Sequence, residues 1–347
     1  MEQTTAPGFS IKCGGSEISD STLRSVTGIM AESRLDMPGA FDVTLSDQSL
    51  SYIDKDDGMF REGVRLEIAM GYNGSYTRLI TGEISSVSAE MSLLGIYSHV
   101  AGFDLLHRLS RGTSYRRFGD DSADALVDSL IVNTLINDAG LTPVVDETHS
   151  RNAPRTQDNR SDLDFLVVLA KLNGYCLYAD DENVFFTAEP RNRGEISLEW
   201  GKDIRSFYPR LSLNRLVKNI EARGRDASLD ENYEEMLERS QEDMLFLSAA
   251  GRDMIARGSG GRSALSLHDS LITGAADAKT WLGSVMREQQ AIVAANGSCA
   301  GDPNLLAGVV LKIENAGRFS GDYIVTRAIH RIGADGYTTE FEARMKP

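Results

Sequence analysis

Gly308-Val309-Val310-Leu311-Lys312-Ile313 echoes Gly63-Val64-Arg65-Leu66-Glu67-Ile68 in its glycine and apolar positions. Each stretch alternates apolar and polar side chains, the period of a half-buried strand. A glycine-containing turn follows in both, Gly71 to Gly74 in one and Gly317 to Gly321 in the other. Next comes a strand, Leu79-Ile80-Thr81-Gly82-Glu83-Ile84 against Tyr323-Ile324-Val325-Thr326-Arg327-Ala328. A tyrosine-bearing strand closes each copy, at Tyr97 and Tyr337, with the final hairpin longer in the first. The echo predicts an internal duplication that gives two similar β domains.

The rest of the first hundred residues agrees. Phe41 to Leu45 alternates, Asn73-Gly74 is a hairpin turn signal because both residues tolerate positive φ, and further strands are expected at Arg78 to Ser88 and Ile96 to Phe103. Short turns between such strands suit a barrel or sandwich. From Asp121 to Ala139 the period changes to that of an amphipathic helix, with Leu126, Val127, Leu130, Ile131 and Leu135 apolar. Asp121 or Ser122 can cap it and Gly140 can end it. A second helix opens at the N-cap Ser161, with Asp164 complementing the dipole, and stops at Gly174; a hairpin about Asp180 to Asn183 follows.

Beyond Trp200, β character returns at Ser206 to Arg223, and an acidic stretch from Asp226 ends in Gly258-Ser259-Gly260-Gly261. It reads as an exposed, partly helical insertion or as an arm that orders against a partner. A third helix is expected at Ala275 to Ala295, with Trp281, Leu282, Val285 and Ile292 inward. The predicted class is α+β, mainly β: two antiparallel β-barrel domains, residues 1–112 and 201–347, flank a helix–helix–hairpin module at 113–200. The second carries the acidic insertion at about 226–273.

Of 347 residues, 36 are basic and 51 acidic, for a formal charge of −15, so a nucleic-acid partner is not expected. The start Met1-Glu2-Gln3-Thr4-Thr5 lacks the features of a secretory signal, and the longest apolar run, Phe165 to Ala170, is too short to cross a bilayer. Synthesis in the cytoplasm without membrane insertion is the expectation. Cys13, Cys176 and Cys299 form no CxxC pair and read as buried free thiols.

Chemical sites are hard to assemble. Histidines at 99, 107, 149, 268 and 330 show no HxH or HExxH spacing, though His99 and His107 could meet across a strand end. Thr273 to Thr280 ends like a phosphate loop but lacks its glycines, and no GxSxG elbow exists. His268-Asp269-Ser270 has the composition of a triad, but neighbours in sequence rarely form one. The chain is therefore expected not to be an enzyme, with no catalytic, cofactor or metal residues.

Helix residues before Gly140-Leu141, then His149, Gln157, Asn159, Ser161-Asp162-Leu163-Asp164-Phe165-Leu166, Leu169-Ala170 and Asn173-Gly174-Tyr175 form a recognisable combination. Gly317-Arg318-Phe319-Ser320-Gly321-Asp322-Tyr323-Ile324-Val325-Thr326, His330 and Gly336-Tyr337-Thr338-Thr339-Glu340-Phe341 extend it. The chain resembles the phage late control protein D family, the baseplate hub of contractile tails, which is related to the N-terminal hub of type VI secretion VgrG proteins. The likeness covers all but the acidic insertion.

That resemblance implies a structural homotrimer. Each chain would contribute two tube-like β domains, and three chains a pseudo-sixfold ring on which the hexameric inner tube starts. A trimeric spike, here expected as a separate polypeptide, and other baseplate proteins would be its partners, inside a phage tail, a tailocin or an extracellular injection particle. Arg65, Glu67 and Lys312 face away from the local core toward a channel, a neighbour or solvent, and are the candidate interface residues. A tail-associated cell-wall hydrolase and a monomeric adaptor or effector carrier are the competing readings.

Overall fold

A computed structural model describes residues 6–119, 126–151, 155–191, 193–214, 216–226, 230–240, 244, 247–257, 264–268 and 271–346. The fold is mostly β, with a few helices. The first part runs through β1 (Pro7–Cys13), β2 (Val26–Arg34), β3 (Ala40–Ser46), β4 (Arg65–Tyr72), β5 (Ser75–Ser92) and β6 (Gly95–Asp104). Alternation in β3 buries Phe41, Val43 and Leu45 on one face. Asn73 and Gly74 join β4 to β5 with φ of 52° and 82°, the paired positive φ of a two-residue hairpin turn.

The middle contains β7 (Ser114–Phe118), α1 (Asp128–Asp138), β8 (Thr142–Val145), β9 (Arg155–Arg160), α2 (Asp162–Asn173), β10 (Cys176–Asp180) and β11 (Asn183–Thr187). In α2, Ser161 Oγ accepts from Asp164 N at 3.0 Å, and Gly174 ends the helix in the left-handed region, both as the sequence predicts. Ser161→Ala is expected to cost about 1 kcal/mol in urea unfolding, the usual value of such a cap. α1 is shorter than its periodicity suggests; the expected caps Asp121 and Ser122 lie outside the described residues. At its start Thr148 Oγ1 accepts from Ser129 N, while Leu130, counted in the apolar stripe, is exposed.

The last part comprises β12 (Glu195–Glu199), β13 (Ile204–Leu211), β14 (Asn219–Asp226), β15 (Glu231–Glu238), α3 (Ala249–Arg257), β16 (Ala264–Leu267), α4 (Ala275–Gln290), β17 (Val293–Ala300), β18 (Val310–Glu314), β19 (Gly321–Gly333) and β20 (Gly336–Met345). The acidic segment is thus not only helical: β14, β15 and β16 form a three-stranded sheet. Gly258–Gly261 lie outside the described residues. Helix α4 stops at Gln290 because Val293 onward is claimed by β17, and its inner face is Ala278, Leu282 and Met286, with Trp281 and Val285 half-buried. This helix and Ile220, Ala222 and Tyr233 of the small sheet share one core with α1, α2 and the β10–β11 hairpin.

The two β parts prove to be a structural repeat. In β5–β6, ten residue pairs run from Gly82↔Asp104 to Ser92↔Gly95, with a bulge after Ile84. In β19–β20, ten pairs run from Tyr323↔Met345 to Gly333↔Gly336, with a bulge after Val325, the equivalent position. Seven pairs join β3 to β6, from Ala40↔Phe103 to Ser46↔Tyr97, and seven join β17 to β20, from Ala294↔Arg344 to Ala300↔Thr338. The bulge between Val26 and Gly28 in β2 likewise recurs between Ile204 and Ser206 in β13. Bulges are placed features, so their coincidence marks a repeat more strongly than the strands alone.

The ladders correct the sequence alignment in detail. They equate Leu66↔Gly82 with Leu311↔Tyr323, so Ile324 answers Glu83, three residues past Ile80. Tyr337 answers Ile96, not Tyr97. The final hairpins are equal in length; the longer one in the first repeat is β4–β5.

Both repeats belong to one thirteen-stranded sheet, joined where β2 runs antiparallel to the second half of β19, from Ile29↔Ile332 to Arg34↔Arg327. Arg327 clamps this seam, donating to Glu32 at 2.8 and 3.0 Å and to Glu342 at 2.8 Å. Beneath it His330 is fully buried; its Nε2–H donates to Leu305 O at 3.0 Å and its Nδ1 accepts from Tyr337 Oη at 2.9 Å. Burial pushes this imidazole down to about 4. Between pH 6.5 and 4 the unfolded chain therefore binds the proton that the native state refuses, so the His330 contribution is intact above pH 6.5 and lost on acidification. A loss of roughly 3 kcal/mol is expected across that window. It is read as the narrowing gap between the urea stabilities of the native protein and His330→Gln, a comparison that removes the opposing contribution of buried Asp104.

Candidate functional site

The proposed interface residues lie on equivalent strands. Leu66 and Ile68 of β4, and Leu311 and Ile313 of β18, are buried, so Arg65, Glu67 and Lys312 project from the other face. The ladders put Glu67, opposite Thr81, and Lys312, opposite Asp322, at matching positions of the two repeats. Each is already engaged within the chain. Arg65 donates to Glu182 at 2.5 Å and also binds Asp181, both in the β10–β11 turn. The hydrogen bond to Glu182, with the charges of both carboxylates, holds its guanidinium above the usual arginine range. Arg78 on β5 grips the same turn through Asp180 at 3.0 Å and Asp181 at 2.9 Å. Together the two arginines fasten the first β unit to the middle module. Glu67 pairs with Lys12 at 2.7 Å, and Lys312 with Glu314 at 3.0 Å.

A cleft of about 830 Å³ opens between the first β unit, the β10–β11 turn and the segment before β18. Its charged lining includes Lys12, Glu67, Arg78, Asp180 and Asp181, which are paired with one another as above. Among the described residues no group of three or more His, Cys, Asp or Glu side chains is placed to hold a metal ion. His99 bonds Thr44 Oγ1 at 3.2 Å while His107 Nδ1 donates to Asp104 O at 2.8 Å, so the two do not share a site. His268 contacts Arg223 O at 3.4 Å; Asp269 and Ser270 lie outside the described residues. The three cysteines are free, Cys299 buried and the others half-buried. Burial pushes their thiols up, to about 11 for Cys13 and Cys176 and about 12 for Cys299, which keeps them protonated and unreactive at neutral pH. Among the described residues no helix is long and apolar enough to cross a membrane.

What the geometry offers instead is surface. The face of the sheet opposite the cores carries Asp42, Thr44 and Ser88 in one repeat and Asn296, Ser298 and Glu340 in the other, beside the exposed rings of Phe103 and Tyr208. At the tip of β5–β6, Met91, Leu93 and Leu94 are 65%, 108% and 91% exposed. Sequence reasoning missed this tip. The available signal was three large apolar residues in the stretch Met91-Ser92-Leu93-Leu94-Gly95, where a hairpin turn is normally polar.

A family model described as the Alg8 N-terminal domain matches residues 3–334. No curated protein matches the chain. Among solved structures, the 43 kDa tail protein of prophage MuSo2 from Shewanella oneidensis has a TM-score of 0.69 at 15% identity, over 98% of each chain. An Escherichia coli protein described as a component of the type VI secretion system, with similarity to bacteriophage T4 tail proteins, scores 0.57 at 13% identity, over 97% of this chain and 76% of that one. A Francisella PdpA–VgrG complex scores 0.57 at 10% identity, over 99% of this chain and 53% of that one. At these identities the likeness establishes a shared fold.

Proposed function

From its place in the family of the Alg8 N-terminal domain, to which this chain belongs, and from its repeat architecture, we propose a structural hub for a phage tail or contractile injection particle. The hub works as a homotrimer. The observation that carries this reading is the register-for-register repeat: each chain supplies two copies of one five-stranded unit, so three chains supply six. A threefold assembly of such chains presents six similar docking surfaces to a sixfold inner tube while keeping threefold symmetry for a spike. A chain with one copy of the unit has no comparable way to match three to six. The fold shared with tail and type VI secretion proteins supports the same role. The work is assembly, done by sheet edges and faces, and the polar sheet face lines the ring.

Adding the purified chain to the inner-tube protein of its own particle tests this. The expected result is seeded growth of tubes of uniform diameter, with the chain at one end by gold labelling. Unchanged tube growth and no end localisation would overturn the reading.

A further inference from the structure

The repeat leaves one junction unmade. Inside the chain, β2 of the first repeat pairs with the second half of β19 in the second. The equivalent of β2 is β13, whose ladder among the described residues runs only along β17 apart from a bridge to Trp200, so it ends the sheet path. The equivalent of that half of β19 is Ser86–Met91 of β5. Pairing of β5 on the β4 side ends at Ile84, which accepts from Gly63 N–H at 2.7 Å and donates to Val64 O at 3.0 Å, and among the described residues Ser86–Met91 pairs on one side only, with β6. Among the described residues each repeat thus leaves unpaired one half of the junction that β2 and β19 make inside the chain, and these two edges are the halves of a second seam.

We infer that β13 of one copy adds to Ser86–Met91 of the next, in the register of the internal seam. This rests on the trimeric hub reading above and specifies how its subunits join. Transferring Ile29↔Ile332, Ala31↔His330 and Ser33↔Ala328 gives Phe207 opposite Met91, Pro209 opposite Ala89 and Leu211 opposite Val87. All six residues are apolar and share one face. On the other face Arg210 falls opposite Ser88 and diagonal to Glu90, a favourable charge pairing. Exposure tells the same story: Ala328, His330 and Ile29 of the internal seam are buried, whereas Met91 and Tyr208 of the free edges are 65% and 71% exposed. Leu93 and Leu94, in the turn after Ser92, are exposed beside it.

Backbone polarity is complementary too. Ser212 N–H donates inward to Ile292 O at 3.1 Å, so the alternate residues Leu211, Pro209 and Phe207 turn their backbone groups outward. Likewise Leu35 N–H donates across the internal seam to Thr326 O at 3.0 Å. Pro209 has no N–H, so the new seam lacks one bond of its internal counterpart; a proline on an open edge also discourages indiscriminate strand pairing.

Ser88 and Arg210 then form a non-hydrogen-bonded pair, the closer kind, suited to a disulfide. In the double variant Ser88→Cys with Arg210→Cys, oxidation should convert most of the chain to covalent dimers and closed trimers on non-reducing gels. Either single variant, and the off-register pair Ser86→Cys with Tyr208→Cys, should remain uncross-linked. The oxidations are run with and without the cognate spike protein, beside light-scattering masses. A trimer that cross-links neither at Ser88/Arg210 nor at Glu90→Cys/Tyr208→Cys would overturn this seam and leave the hub reading standing. A monomer under both conditions would overturn both.

Discussion

Replacing Arg155 with methionine is expected to cost about 3–5 kcal/mol, the usual result of removing one partner of a buried ion pair. Arg155 is 1% exposed and Asp128 fully buried. Arg155 Nε donates to one oxygen of Asp128 at 3.2 Å, and Asn173 Nδ2 donates to the other at 2.8 Å. A further ion pair joins Arg155 to Asp277 at 3.4 Å. The network therefore ties β9 to the start of α1, the end of α2 and the start of α4, the elements whose apolar faces make the middle core. Burial already pushes the Asp128 carboxyl above its ordinary value, with Arg155 the chief influence holding it down. Without Arg155 the buried carboxylate loses the chief charge that favours its ionised form. Urea unfolding followed by Trp281, which packs against this core, reads the loss. The double variant Arg155→Met with Asp128→Asn should recover part of it, because the buried charge is gone; no recovery would mean that packing, and not charge, dominates the single variant.

Phe41→Ala is expected to cost about 3–5 kcal/mol, the range for truncating a fully buried aromatic. Phe41 is 1% exposed, and its ring lies over two glycines of neighbouring strands. A Cβ at Gly102 would stand 2.4 Å from Phe41 Cζ, and one at Gly82 3.0 Å from its Cε1. The same Cβ atoms would also stand 2.1 Å from Glu83 O and Phe103 O, so both glycines sit tightly in the ladder under the ring. Unfolding by circular dichroism tests this; a loss below about 1 kcal/mol would mean that the site collapses freely.

The same residues explain why the duplication was only partly legible. In the second repeat the places of Phe41, Gly82 and Gly102 are taken by Ala295, Tyr323 and Ala343. Val43 and Val100, a cross-strand pair, are answered by Gly297 and Phe341, whose ring covers that glycine. The large side chain moves to another strand of the unit, the kind of volume exchange that cores tolerate. Identity is erased where register is strictest. The glycine–apolar echo at Gly63 and Gly308 survived, so the copies could be found. The register of the middle strand could not, because the β4–β5 hairpin is longer between its matching pairs and drew Ile80 into false alignment with Ile324.

Local punctuation was read correctly where a single residue decides the backbone, as at Asn73-Gly74, Ser161 and Gly174. It failed where tertiary pairing decides. Helical periodicity past Gln290 gave way to β17, and the acidic segment from Asp226, read as an exposed, partly helical insertion or an arm, also yields β15 and β16, with Tyr233 joining Ile220 and Ala222 of β14 in the middle core. For the candidate interface, the strand period places Arg65, Glu67 and Lys312 on the face away from the apolar positions, but the partners of Arg65 and Glu67 are far off in sequence, while Lys312 pairs with Glu314 two residues on. The free edges of β5 and β13 are absences of pairing, which no stretch of sequence spells out.

End-on cryo-electron microscopy of the assembled protein, bound to its spike where that is needed for assembly, tests the central claim most directly. Three chains, each carrying the repeated five-stranded unit twice, should give a closed ring of six similar β units with threefold modulation from the middle modules. A ring of three units, or particles with no ring at all, would contradict it.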